Sequence, residues 1–231
     1  MPPRSHQIPH YRRLYNSLEL VYEVSASTVK CVEGPHNING FTSHALSAFM
    51  LTSSIWESLL NWAFCSAWTE IYFGAIAATR CSSLGQDLDR LSLLKKTYVL
   101  PLIAFEKSFD KTAFPFQGLQ TLVGIRNHIV HDVQDRAPEK EINVLRTQGC
   151  LLNNGELPRY PSEEKPWQLD VATLESIRWC MNLLPPLVGE LIKLSGRKEA
   201  ERLAEFRIVT EDFAKTLIKA PLQCVPFGMR K

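Results

Sequence analysis

The chain has 231 residues, 45% of them hydrophobic, which suffices for one sizeable core, or for one core with an appendage. Its 26 Lys and Arg nearly cancel its 24 Asp and Glu, leaving a formal charge of +2. No global field therefore draws it onto nucleic acid or an anionic membrane, and any contact with RNA has to be local.

The first residues, MPPRSHQIPHYRR, are basic. They lead into an amphipathic segment carrying Glu19 and Glu23, not into a short apolar run with a small-residue cleavage site, so a cytosolic location is expected. From about 13 to 32 the apolar positions Leu14, Leu18, Leu20, Val21, Val24 and Val29 predict a helix, stopped by Gly34-Pro35. A long helix follows, with Thr42 or Ser43 as its N-cap, running to the late sixties as the spine of a bundle. The stretch 45–78 is the most apolar in the chain, but Glu57, Asn61 and Glu70 lie within it. A charge near a bilayer centre costs about 3 kcal/mol, so a buried bundle helix is expected there and not a membrane span. Trp56, Trp62 and Trp68 recur every six residues, which scatters them around this helix as core residues and not as a base-stacking platform.

From 86 to about 98, Leu88, Leu91 and Leu94 alternate with Asp87, Asp89 and Arg90 in an amphipathic helix that Pro101 ends or kinks. After a loop through Phe109 to Pro115, residues 117–132 predict a further helix. Between Pro138 and Pro166 the prolines, the Asn153-Asn154-Gly155 turn signal and the short runs Val144-Leu145 and Leu151-Leu152 suggest a hairpin or an irregular insertion. Asp170 or Thr173 is placed to cap a helix whose continuity Pro185-Pro186 must kink or break and which Gly196 stops. A last helix, about 197–219, aligns Leu203, Phe206, Val209, Phe213 and Leu217 on one stripe. The expectation is one all-α domain over 1–231: an up-and-down bundle of five or six helices, its core about 42–195, with an insertion at about 138–166.

The six cysteines, Cys31, Cys65, Cys81, Cys150, Cys180 and Cys224, are too scattered for a zinc or redox motif and read as reduced, mostly buried residues. There is no glycine-rich phosphate loop, dinucleotide fingerprint or serine elbow. His128 and His131 lie three apart, but no carboxylate or thiol stands where it would complete a metal site, so neither metal nor cofactor is expected.

The most informative feature is Arg126-Asn127-His128-Ile129-Val130-His131, at the end of a helix whose apolar positions are Leu119, Leu122, Val123 and Ile125. A proton acceptor beside a phosphate-seeking cation is what metal-free RNA cleavage requires. At 100° per residue Asn127 and His131 share a face, whereas Arg126 and His131 are about 140° apart. One regular helix cannot aim both at one phosphate. Either the helix ends or distorts before His131, or a neighbouring helix or a second subunit completes the site. Glu57 and Asn61, four apart in an otherwise apolar run, need partners, and Glu57 against Arg126 is the natural pairing.

Arg126-Asn127-x-x-x-His131 at the end of an apolar helix in an all-helical chain resembles the signature of the HEPN superfamily. The segment Ile55-Trp56-Glu57-Ser58-Leu59-Leu60-Asn61 is similar to an earlier helix of many members. The resemblance spans about 42–195 in pattern and about a dozen residues in motif. It implies a helical bundle that dimerises to bring two motifs into one cleft, and a metal-independent endoribonuclease acting as a toxin or an antiviral-defence effector. In that light Arg126, Asn127 and His131 are the catalytic set, with Glu57, Asn61 and His128 supporting it. The implied partners are RNA, a second copy of the chain, and an antitoxin or defence-system protein. Members silenced by a nucleotidyltransferase carry a tyrosine just after the histidine; Asp132, Val133 and Gln134 stand here instead, which argues against that modification. The family also implies an alternative, a non-catalytic module that binds RNA or protein and dimerises. A purely structural role is the third possibility, with Arg126 tied to Glu57 and His131 capping a helix C-terminus, where a cation gains about 0.5 kcal/mol.

Overall fold

The computed structural model describes residues 10–31, 38–71, 90–131, 137–149 and 167–202. They form six α-helices and, among the described residues, no strand: α1 (His10–Cys31), α2 (Ile38–Ile71), α3 (Leu93–Phe105), α4 (Phe116–His131), α5 (Glu139–Thr147) and α6 (Leu174–Arg202), with a 3-10 turn at Trp167–Leu169. The all-α bundle expected from the periodicity is what the chain adopts. None of these helices is long and apolar enough to cross a membrane.

α2 is the spine. It packs against α1, α3, α4, α6 and the 3-10 turn, and Ala48, Phe49, Ile55, Trp56, Leu59, Leu60 and Ala63 are wholly buried along it. α1 runs antiparallel to it: Tyr11 meets Trp62 edge-on near one end, and Ser25 shares a 2.9 Å hydrogen bond with His44 Nδ1 near the other. The apolar stripe of α1 differs from the expected one. Tyr11, Tyr15 and Leu18 are buried, while Leu20 and Val24 are 60% and 44% exposed. Period-3.6 spacing admits two overlapping stripes here, and the bulkier aromatic one wins the core because it buries more surface.

Several boundaries move. α2 begins at Ile38, so Thr42 and Ser43 lie inside it and do not cap it. Arg90 to Ser92 are not helical; α3 starts at Leu93, passes through Pro101 and ends where Glu106 adopts a left-handed conformation (φ 56°). Proline removes one backbone donor, but Leu100, Pro101 and Phe105 are all buried, and their packing carries the helix onward. The segment expected to be a hairpin or an irregular insertion is helical over α5, where Ile142 and Leu145 are buried three residues apart and Glu139 and Glu141 occupy the first turn, favourable for the helix dipole. The Asn153-Asn154-Gly155 signal, Gly34-Pro35, most of 86–92 and the 203–219 stripe lie outside the described residues.

Thr173 caps α6: its Oγ1 accepts from the Ser176 backbone N–H at 2.9 Å. α6 continues through Pro185 and Pro186 and is interrupted at Gly196, whose φ of 64° only glycine adopts without strain. α4 lies close against α6. A Cβ built on Gly118 would stand 2.6 Å from Leu183 Cδ1, so a larger residue there would make the Leu183 side chain shift.

Candidate active site

α4 is anchored by Leu119, Leu122 and Ile125, all fully buried, with Phe116 and Val123 beside them. Its last turn emerges from that cover. Ile129 still packs on the core, but Asn127, Val130 and His131 are exposed and Arg126 is half-buried. Arg126 Nη1 donates to Asn127 Oδ1 at 3.3 Å, a long and exposed contact. Among the described residues no carboxylate pairs with Arg126, and no hydrogen bond engages His131.

The helix includes His131 as its last residue, so it does not end or distort before the histidine. Arg126 and His131 therefore stay about 140° apart around one axis. Asn127 and His131 share the exposed face, with Arg126 at its border.

His128 is half-buried. Its ring stands edge-on to Trp167, centroids 6.4 Å apart and planes 74° apart, which ties the end of α4 to the 3-10 turn. Its Nδ1 is shielded from solvent and has no hydrogen-bond partner among the described residues. No group of three or more His, Cys, Asp or Glu side chains able to hold a metal comes together among them.

Glu57 and Asn61 are not Arg126's partners. Both belong to Lys96, whose Nζ donates to Glu57 Oε1 at 2.8 Å and to Asn61 Oδ1 at 3.2 Å. One residue along, Trp56 Nε1 donates to Thr97 Oγ1 at 2.9 Å, and Thr97 in turn donates to the Leu93 carbonyl at 2.9 Å. Consecutive residues of α3 thus receive consecutive residues of α2. The ring series Trp56–Phe109–Phe116, at 6.2 and 6.4 Å, sets this part of α2 near the first turn of α4. Arg126 lies ten residues further on, about 15 Å along the helix axis. The physical reason for the correction is that a closer cation on a directly packed helix satisfies the carboxylate first. Lys96, 2% exposed, is the site residue that the sequence reading missed. Its signal was position: it stands on the stripe Leu93, Lys96, Thr97, Leu100, where an apolar residue belongs.

No family model matches the chain, and neither a curated protein nor a solved structure matches it.

Proposed function

We propose that this chain is a metal-independent endoribonuclease of the HEPN type, working in the cytosol as a dimer whose two α4 ends form one composite cleft. The observation that carries the reading is that the fold does not consume the motif. Arg126 pairs with no carboxylate among the described residues, and Asn127 and His131 share a solvent-facing turn. A guanidinium and an imidazole left open on the same helix end are each available to a phosphodiester.

In the proposed reaction His131 accepts the proton of a ribose 2′-hydroxyl as the 2′-oxygen attacks the adjacent phosphorus. Arg126 stabilises the negative charge that develops on the phosphorane oxygens, and Asn127 orients the phosphate or the imidazole. The P–O5′ bond breaks and the leaving 5′-oxygen takes up a proton, giving a 2′,3′-cyclic phosphate and a 5′-hydroxyl. Base and acid then belong on opposite sides of the phosphorus. Since Arg126 and His131 diverge on a helix that stays regular, a second copy of the motif is the natural source of the missing group. Biologically the reading fits a toxin or an antiviral-defence effector held in check by an antitoxin or a defence-system partner.

The direct test is to incubate purified protein with single-stranded and structured RNA in EDTA and analyse the ends of the products. Cyclic phosphate termini on RNA, with a DNA strand of the same sequence left intact, support the proposal. If the protein binds RNA through Arg126 yet never yields a product, the alternative of a non-catalytic binding module takes its place.

A further inference from the structure

Lys96 is the least expected side chain in the core. Taking an ammonium out of water costs several kcal/mol, which an ion pair at best offsets, and an apolar residue of similar volume would join α2 to α3 as well. What the lysine adds is orientation. It holds Glu57 Oε1 and Asn61 Oδ1 at once, and these belong to side chains four apart on one face of α2.

Only the oxygen of an amide can accept from an ammonium, so the Asn61 Nδ2 donors point away from Lys96. With Oε1 held, Glu57 presents Oε2, and 37% of its side chain is exposed. Neither Oε2 nor Nδ2 has a hydrogen-bond partner among the described residues. An acceptor and a donor therefore stand side by side at the surface, fixed from behind by a buried cation. Next along α3, Lys95 is exposed and in no ion pair among the described residues.

A carboxylate in the pair turns away phosphate, so this surface does not suit the backbone of a nucleic acid. It suits the edge of an unpaired base, which places an N–H donor next to an acceptor and is read in single-stranded RNA by such side chains. We propose that Glu57 and Asn61, held in register by Lys96, are a base-reading subsite that sets the nucleotide preference of the cut made at the Arg126–His131 end of α4. This rests on the ribonuclease reading above.

The test is to map every cut that the full chain makes in a mixed-sequence single-stranded RNA in EDTA, and to repeat it with Glu57→Gln and with Asn61→Asp. The wild-type chain should favour one base at a fixed offset from the cut, and each variant should lower that preference ratio about tenfold. The ratio compares nucleotides within one digest, so a change in total rate leaves it untouched. Glu57→Gln leaves Lys96 without its counter-charge; should it fail to fold, the double variant Glu57→Gln/Lys96→Met removes both charges together and serves in its place. A wild-type chain that cuts without base preference overturns the subsite and leaves the nuclease standing. The same holds for folded variants that keep the preference, even at reduced rate, because the cluster is then only an interhelical tie. A wild-type chain that cuts no RNA at all overturns both readings.

Discussion

Glu57 and Asn61 on α2, and Arg126 and His131 on α4, start from the same situation, polar side chains on helices whose other residues build the core. The fold treats the two groups differently. Around Glu57 it spends a buried lysine on the carboxylate and amide of α2 and a threonine hydroxyl on the Trp56 N–H beside them. At the end of α4 it leaves a guanidinium and an imidazole without a carboxylate among the described residues and turns them toward solvent. Buried polar groups are normally satisfied because leaving them unpaired is costly, so a group that stays open is under no structural obligation and is free to serve a ligand. The difference separates side chains that the fold fixes from behind, Glu57 and Asn61 keeping only their outer atoms Oε2 and Nδ2 open, from side chains that it leaves wholly to a ligand.

The contrast can be broken by stability measurements. Lys96→Ala should show the largest effect, about 3 kcal/mol lost in denaturant unfolding, since it opens a cavity between α2 and α3 and strands Glu57. Lys96→Met keeps the volume and leaves Glu57 to the solvent it already meets, so about 1 kcal/mol is expected. Arg126→Ala should cost less than about 0.5 kcal/mol, as befits a half-buried side chain that pairs with no carboxylate among the described residues. A loss from Arg126→Ala as large as that from Lys96→Ala would erase the distinction.

A second carboxylate, on α1, carries the smallest expected effect. Glu19 on α1 has a like charge, Glu23, as neighbour, and burial together with that charge raises its carboxyl above the usual range. The folded chain then keeps a proton that the unfolded chain has already released just above the ordinary carboxylate range, so stability falls as pH rises through that window. Glu19→Gln should raise the unfolding midpoint slightly at neutral pH, while the difference from wild type disappears in acid. A variant less stable at neutral pH would contradict that sign.

The regular spacing of Leu119, Leu122 and Ile125 was enough to place the motif at a helix end, because burial there follows period 3.6 and nothing competes with it. Lys96 was not legible in this way. A Lys-Lys-Thr run reads as a solvated face; the place of Lys96 on the stripe with Leu93, Thr97 and Leu100 was the one hint against that, and packing shows that of the two lysines it is the buried one. α5 was misread because Val144-Leu145 is too short to distinguish a strand from one turn of helix, and its buried pair Ile142 and Leu145 counts only once α4 is there to pack against. At Pro101 local preference pointed to a break, and the burial of Leu100 and Phe105 overrode it.

The central claim is that the open end of α4 is a catalytic edge. The measurement that tests it most directly is the rate of RNA cleavage in EDTA by the wild-type chain and by His131→Ala, with the folding of both checked by their unfolding midpoints. His131→Ala should lose about 10²- to 10⁴-fold in rate at an unchanged midpoint; cleavage by the folded variant at the wild-type rate would overturn the catalytic role of His131.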